Sequence, residues 1–472
     1  MILTSKQRAQ YIIADFLAAN VAWLAFNVVR YFTLPSVYEA DDLLSYLSYP
    51  NVLVGQAMFP AMMVILIAIS GYYNKVFMKS RLEDAINAAG VSAIGTLIIF
   101  FTVLFNDKFD DRMGNFEMIA TLWFLFTLLL ILPRSFLTAA TAKKIWRREI
   151  VFNAIIVGNW QQAQELADSL DTKYRNMGFR VVGVLDENIN EKANGKAKLP
   201  TYSFDQAMGM AANDEISAFI IMPERSDSPD TMSIINKLLP LGKSIYLTPD
   251  TYLFIASRPR TTRVAGQLLI DVSSVDMPQS TLNIKRISDI AVSALALVLL
   301  SPVFLAISMF IKADSKGPVF YKQERLGYKK RPFNIYKFRS MRIDAEQDGP
   351  ALSSVNDSRI TKVGRVLRKY RLDELPQFWN VLKGDMSIVG PRPEREYYFK
   401  QIIERAPYFT MVHQVRPGIT SWGMVKYGYA STVDEMLQRM RYDLLYIENI
   451  SFAVDIKILF YTVRTVLTGR GV

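Results

Sequence analysis

The 472 residues contain no cysteine and a single histidine, His413. The first absence excludes disulfides, thiolate nucleophiles and cysteine-ligated zinc or iron–sulfur centres. The second excludes a histidine metal cluster. His413 remains available as a lone base, although a satisfied structural histidine is the ordinary reading of one such residue. What is left is carboxylate chemistry, with a hard cation as its natural companion. Basic charge is unevenly spread: residues 281–472 hold 30 Lys and Arg against 18 Asp and Glu, whereas the first 280 residues are almost neutral.

Hydrophobic residues, by contrast, make up 51% of the chain, too many for soluble domains alone. Four apolar runs, near 11–33, 51–72, 88–105 and 116–133, each approach the ~20 residues that cross a hydrocarbon core. The first is too long, and too closely followed by further spans, for a cleaved signal peptide. Lys6 and Arg8 precede the first run, Lys75, Lys79 and Arg81 follow the second, and Arg134, Lys143, Lys144, Arg147 and Arg148 follow the fourth. The intervening loops carry Glu39, Asp41 and Asp42, then Asp107, Asp110 and Asp111 against Lys108 and Arg112. That asymmetry predicts a bundle over 1–148 with both ends in the cytoplasm. Asp15 and Asn20 are the main polar candidates within it, read as helix–helix contacts rather than a transport path.

From 149 to 275 short β-branched runs alternate with polar helical stretches: FNAIIVG (152–158), FRVVGVLDE (179–187), EISAFIIMPE (215–224) and KSIYLTPD (243–250). The alternation predicts a small parallel α/β, Rossmann-like domain. Its first turn reads Gly158-Asn159-Trp160-Gln161-Gln162-Ala163, with only the first glycine of a dinucleotide fingerprint, so a structural or regulatory role is expected ahead of cofactor binding. Asp186 stands where a ribose-binding acid could sit and is equally a turn residue.

The basic field of 281–472 suits anionic lipid or a phosphorylated substrate. Nucleic acid is disfavoured because the basic residues are interleaved with acids and apolar positions, and because a membrane segment introduces the domain. That segment, DIAVSALALVLLSPVFLAISMFI (289–311), is long enough to span, yet Ser301-Pro302 falls near its middle and both flanks are basic: Lys285 and Arg286 before, Lys312 and Lys316 after. A helix, a break and a returning helix over about 284–312 would keep both flanks on one side, with Ser301 satisfying a carbonyl freed by Pro302.

Beyond it lie GPVFYKQERLG (317–327), FNIYKFRSM (333–341), RITKVGRVLRKY (359–370), LDELPQFWN (372–380), GPRPE (390–394) and RPGITSWG (416–423). With KRxxD at 285–289 and the Ser-Pro break, these motifs over 281–472 resemble the polyprenyl-phosphate glycosyl-1-phosphate transferases, the initiating enzymes of bacterial capsule, exopolysaccharide and O-antigen assembly. The four-span bundle and α/β domain look like the long form of that family. The resemblance implies a multi-pass protein of the bacterial inner membrane whose mainly α-helical, monotopic catalytic domain carries a re-entrant helix on the cytoplasmic face. It implies transfer of a hexose 1-phosphate, glucose or galactose, from a UDP-sugar to undecaprenyl phosphate, with release of UMP, dependence on Mg²⁺, and a homodimeric assembly. On this sequence it makes Asp373 a covalent nucleophile and Glu374 the metal ligand. It gives Lys337, Arg339 and Arg392 to phosphate or nucleotide, and Ser301-Pro302 to the helix break.

The residues themselves point the same way. Neighbouring side chains of a helix diverge by roughly 100°, which suits Asp373 and Glu374 to separate tasks. Pro376 suggests a helix starting around Asp373, where free amides favour phosphate; the plainer reading is a capping aspartate beside a solvated glutamate. Attack of a carboxylate on charged phosphorus demands cations. In 359–370, Val363, Val366, Leu367 and Tyr370 follow helical spacing, flanked by Lys362, Arg365, Arg368 and Lys369, as for a helix at a lipid surface or a solvated face on a core helix. Pro391 and Pro393 hold Arg392 stiffly, as an anion clamp or a rigid turn. Arg416-Pro417-Gly418 and Trp422 fit the sugar or uridine side, or an ordinary turn with a core tryptophan. Two rival functions stay open: a membrane-anchored nucleotide-sugar dehydratase, which would need a second glycine-rich loop and a Tyr-x-x-x-Lys that 281–472 lacks, and a non-enzymatic assembly scaffold.

Overall fold

The computed structural model describes residues 2–33, 42–74, 77, 81–103, 112–185, 199–223, 229–248, 269–272, 277–345, 357–428 and 430–468. Lys75, Lys79, Asp186 and the loop charges Glu39, Asp41, Asp107, Lys108, Asp110 and Asp111 lie outside the described residues. The chain divides into two compact units, one holding Met1–Val151, Asn176–Gly178 and Pro278–Ile284, the other Phe152–Arg175, Phe179–Met277 and Lys285–Val472.

Continuous apolar stretches become helices α1 (Ile2–Thr33), α3 (Pro50–Ile69), α4 (Arg81–Thr102) and α5 (Arg112–Trp146), with a short α2 (Leu43–Leu47) between the first two. All four long helices have the length and hydropathy to cross a membrane. Their inner faces form a core around Trp23, Phe26, Phe59, Met63 and Phe126, while Leu24, Ile65, Phe124 and Leu132 point outward, as lipid-facing side chains do. This is a membrane protein. Asp15 and Asn20 make the helix contacts expected of them: Gln56 Nε2 donates to Asn20 Oδ1 at 2.9 Å, and Asp15 pairs with Arg134. Arg134 corrects its own expectation, because it is not a flanking charge. It lies inside α5 with no solvent exposure, donating through Nε (2.7 Å) and Nη2 (3.0 Å) to Asp15 and through Nη1 to Asn87 at 3.2 Å. In a low-dielectric interior such an arginine persists only when a carboxylate answers it.

The second unit begins with a six-stranded sheet: β1 (Phe152–Val157), β2 (Phe179–Leu185), β3 (Thr201–Tyr202), β4 (Ala218–Ile221), β5 (Ser244–Leu247) and β6 (Ile270–Asp271), in the order β3-β2-β1-β4-β5-β6. All neighbouring pairs are parallel except β5–β6, so the sheet is mixed. The inner strands are largely buried, β4 along its whole length, because helices α6 (Trp160–Asp171), α7 (Phe204–Ala212) and α8 (Pro229–Leu238) alternate with them, which is why they read as mainly apolar runs. Gly158 is required at the first turn: its φ is +144°, and a Cβ there would stand 2.8 Å from the Met222 carbonyl oxygen.

Next come α9 (Gln279–Leu299) and α10 (Ser301–Asp314), apolar helices bent by 60° at Leu300. Pro302 has no N–H for the Val298 carbonyl, and the Ser301 hydroxyl donates to that oxygen instead, at 2.8 Å. A hairpin of β7 (Phe320–Leu326) and β8 (Pro332–Phe338) follows, then α11 (Lys362–Lys369), α12 (Gln377–Lys383), β9 (Ser387–Val389), α13 (Glu396–Arg405), β10 (Gly418–Thr420), α14 (Trp422–Lys426), α15 (Val433–Glu448) and α16 (Phe452–Leu467). Their core gathers Phe399, Ile402, Phe409 and Met440. The hairpin tip meets the six-stranded sheet's layer: Lys330 Nζ donates to Asn236 at 2.7 Å and Lys329 Nζ to the Gly242 carbonyl at 3.1 Å.

Candidate active site

The segment that carries the two adjacent acids is set by the helix before it. α11 is capped twice, by Thr361 Oγ1 accepting from Gly364 N and by Asp314 Oδ2 accepting from Val363 N, both at 3.0 Å. Gly364 has to be glycine, because a Cβ would fall 1.9 Å from the Ser340 carbonyl oxygen. Leu367 and Val363 pack inward with Ile307 and Phe338, while Val366 and Tyr370 face outward, so this basic helix serves core and surface at once. Arg371 then turns left-handed, φ 54° and ψ 24°, and the chain tightens into a 3₁₀ turn over Leu372–Glu374. The helix expected to start near Asp373 starts later, at Gln377; the acids sit on the turn that leads into it.

The Lys-Arg-x-x-Asp motif fastens the base of this region. Arg286 donates from Nη1 to the Val381 carbonyl (2.7 Å) and from Nη2 to that of Leu382 (3.2 Å), closing the C-terminal end of α12. Asp289 accepts from Ser387 Oγ (2.6 Å) and Ile388 N (3.2 Å), and Lys285 pairs with Asp455 at 2.6 Å. Asn380 ties α12 to β8, donating to the Asn334 carbonyl at 2.7 Å and accepting from Tyr336 N at 3.0 Å. The next residue of β8 is Lys337, which is thereby brought to the acids.

Asp373 and Glu374 are both buried, yet their surroundings differ. Lys337 Nζ donates to Glu374 Oε1 at 2.7 Å; Arg392 Nη1 stands 3.7 Å from the same oxygen and Arg371 Nη1 3.5 Å from Oε2. Burial opposes the Glu374 charge, but Lys337, Arg392 and Arg371 together overcome it and hold the carboxyl well below the usual range. Among the described residues the Asp373 carboxylate accepts no hydrogen bond. Burial pushes it up to about 6, with Lys337 pulling down and Glu374 pushing further up. One acid is caged as an anion; its neighbour is left unencumbered.

Both open on a cavity of about 320 Å³ whose wall carries ten Lys and Arg side chains against three acids. Lys337, Arg371 and Arg392 are among them. Arg392 is set through its backbone: Asp443, 1% exposed, accepts from Arg392 N at 3.2 Å and from Gly423 N at 2.9 Å. Burial pushes Asp443 up to about 6 against those amide bonds. The remaining expected residues are placed differently. Arg339 touches the cavity wall, but its Nη1 donates to the Lys316 carbonyl (2.9 Å) and its Nη2 to the Ser315 carbonyl (2.7 Å) and hydroxyl (2.8 Å); it closes the end of α10. Pro391, Pro393 and Arg416 are not in the wall. Arg416 Nε donates to the Gly384 carbonyl at 2.9 Å, and Trp422 packs into the core of the last helices. Ser301 and Pro302 form the α9–α10 break rather than the cavity. His413 is structural: buried, with Nδ1 2.9 Å from the Gly327 carbonyl and its ring edge-on to Phe399, it is held neutral because burial drives its pKa down to about 3. The sequence reading assigned no role to Arg325, Glu394, Arg439 or Asp443. Glu394 follows Gly-Pro-Arg-Pro directly and Arg325 lies in a quoted motif, so adjacency to those motifs was the available signal.

Among the described residues no three acidic or histidine side chains converge as a closed cation cage. Mg²⁺ seldom needs one: it binds through one or two carboxylates and completes its shell with substrate phosphate oxygens and water. Glu374 fits that pattern, since Arg371 lies at ion-pair rather than hydrogen-bond distance from its Oε2.

The family described as bacterial sugar transferase matches residues 280–469, and one described as a CoA-binding domain matches 68–249. The chain is 47% identical over 188 residues to the UDP-N-acetylgalactosamine-undecaprenyl-phosphate N-acetylgalactosaminephosphotransferase of Aeromonas hydrophila, covering 40% of this chain and 44% of that protein. It is 35% identical to the UDP-glucose:undecaprenyl-phosphate glucose-1-phosphate transferase of Klebsiella pneumoniae, covering 61% of this chain and 62% of that one. With the protein of the same description from Escherichia coli (strain K12) it shares 33% identity over 382 residues, 78% of this chain and 79% of that one. The first two matches span less than two thirds of those relatives, but the third runs through most of both proteins, and the chain belongs to the bacterial sugar transferase family.

Proposed function

We propose that the protein transfers a hexose 1-phosphate from a UDP-sugar to undecaprenyl phosphate through an aspartyl phosphosugar intermediate. In the first step an Asp373 oxygen attacks the sugar-bearing phosphorus; the P–O bond to the nucleotide phosphate breaks and UMP departs with the electron pair. In the second, an oxygen of undecaprenyl phosphate attacks the same phosphorus, the P–O bond to Asp373 breaks, and the carboxylate is regenerated. The observation that carries this reading is the pairing of an unencumbered, buried Asp373 with a Glu374 locked by three cations, in the wall of a cavity rich in arginine. A neutral carboxylic acid is a poor nucleophile, so the cations of the wall must keep Asp373 ionised and withdraw charge from phosphorus.

Lys337 and Arg392 hold the phosphate that becomes bonded to Asp373, and Arg371 fixes Glu374. Mg²⁺, held by Glu374 with phosphate oxygens of the donor, would neutralise the charge that otherwise repels the Asp373 carboxylate. The bent α9–α10 pair is read as a re-entrant element whose basic flanks stay on the cytoplasmic side with the cavity, which places Asp373 where a soluble donor and a lipid-borne acceptor meet. The sugar is glucose or galactose, or N-acetylgalactosamine on the name of the Aeromonas relative; the initiating step of a cell-surface glycan at the inner membrane and a homodimeric assembly complete the reading.

The test is direct. Purified protein given labelled UDP-sugars, Mg²⁺ and undecaprenyl phosphate is expected to release UMP and form labelled lipid, and acid quenching before acceptor is added should leave label on the protein. Asp373→Asn is expected to abolish both. Unchanged turnover in that variant removes the aspartyl intermediate, and with it this mechanism.

A further inference from the structure

The cavity has a second cationic pole that the dyad leaves unused. Glu394, 4% exposed, is its centre: Arg439 Nη2 donates to Oε1, and Arg325 Nη1 stands 3.9 Å from Oε2. Arg325 is fixed from behind, donating to Gln323 Oε1 through Nε (3.1 Å) and Nη2 (2.6 Å) and to the Pro393 carbonyl through Nη1 (3.1 Å). One buried guanidinium and one partly buried guanidinium thus answer to one carboxylate, and a positive charge is left in surplus. Burial pulls Arg325 down to about 10, with Glu394 resisting and Arg392 and Arg395 adding to the fall. Arg439 is itself buried, and its Nε has no hydrogen-bond partner. A buried cation without full compensation is costly, and an incoming anion relieves that cost.

The chemistry of the pole chooses its ligand. Sugar hydroxyls and uracil are neutral and would leave the surplus charge of this pole unanswered, whereas a phosphate supplies both acceptor oxygens and negative charge. Glu394 is two residues beyond Arg392, at most about 7 Å of chain, so the two poles lie within reach of two linked phosphates. The phosphate that leaves with the nucleoside gains a second negative charge as its bond breaks, and donors fixed beforehand stabilise that charge most. We propose that Arg325 and Arg439, oriented by Glu394, form the subsite for the departing nucleotide phosphate, separate from the Lys337 and Arg392 pole that holds the phosphate bound to Asp373. This inference rests on the transferase reading, because it is that reaction which requires a nucleoside monophosphate to leave.

Binding of UMP and of uridine to the full-length protein in detergent, measured by calorimetry, tests it without turnover. The wild type is expected to bind UMP at least about tenfold more tightly than uridine, the effect of one charge-assisted hydrogen bond. Arg439→Gln is expected to lose most of that preference with uridine unchanged. Glu394→Gln, which removes the compensating charge, is expected to bind UMP as tightly or more so. Opposite signs in the two variants are what charge predicts and what a purely structural role does not. A fall in UMP affinity in both, or an equal loss for UMP and uridine, overturns the subsite. Should Arg439→Gln fail to fold, Glu394→Gln alone decides, since weaker UMP binding there is contrary to the proposal. A wild type that does not bind UMP overturns the transferase reading itself, a result distinguishable from failure of the subsite.

Discussion

The pH dependence of donor cleavage follows from the contrast between the two acids. Asp373 is pushed up to about 6 by burial, whereas Glu374 is held ionised by Lys337, Arg392 and Arg371. A nucleophilic carboxylate must be deprotonated, so activity should disappear as pH falls through the Asp373 value, while Glu374 contributes no limb in that range. At a pKa near 6, about nine tenths of Asp373 is ionised at pH 7 and just under one tenth at pH 5, a fall of roughly tenfold. Because kcat/KM reports the groups of the free enzyme, UMP release at low donor concentration should show this acid limb. Lys337→Gln sharpens the test: the lysine pulls the Asp373 pKa down, so its loss should move the limb upward. A profile that stays flat from pH 7 to pH 5, or a limb that moves to lower pH in Lys337→Gln, would refute the assignment of Asp373 as the titrating nucleophile.

Arg339→Gln is expected to destabilise the protein by about 3 kcal/mol, the worth of one or two charge-assisted hydrogen bonds to a helix end, measured by denaturant titration in detergent, with UMP affinity of the folded protein retained. A stable Arg339→Gln that no longer binds UMP would return this residue to phosphate binding. Arg134→Leu leaves Asp15 buried without its partner and should cost about 3–5 kcal/mol in detergent unfolding; Asp15→Leu combined with Arg134→Leu should recover most of the loss, and a double variant as unstable as the single would show that the pair is not what holds α1 to α5.

Much of this fold is written in short-range pattern. The four long helices and the four inner strands announce themselves by mainly apolar runs, the helices because their outward faces are as apolar as their core faces, the strands because helices cover them. The break at Ser301-Pro302 was legible for the same local reason: a missing N–H and a hydroxyl that can replace it are properties of two adjacent residues. The edge strands β3 and β6 were not legible, being two residues each, too short to show a period. Long-range pairing was equally hidden. Arg134 stands 119 positions from the Asp15 that allows its burial, and Glu394 gathers Arg439 from 45 positions away. Arg339 sits among motif residues and resembles a phosphate ligand in sequence, until the helix end it closes is seen beside it.

The division of labour between Asp373 and Glu374 has a backbone origin. α11 could not continue through residue 371 and still present both acids to the cavity, since a further helical turn would carry them along its axis. Arg371 stops it by adopting a left-handed conformation, at a cost of about 1–2 kcal/mol for a residue with a Cβ. The 3₁₀ turn that follows has about three residues per turn, so successive side chains diverge by about 120°. Glu374 is thereby directed into contact with Lys337, Arg392 and the guanidinium of Arg371 itself, while Asp373 feels the charge of Lys337 and Arg371 without an ion pair to either among the described residues. The strained residue contributes twice: its backbone separates the two carboxylates, and its side chain helps to hold one of them ionised while the other remains free to react.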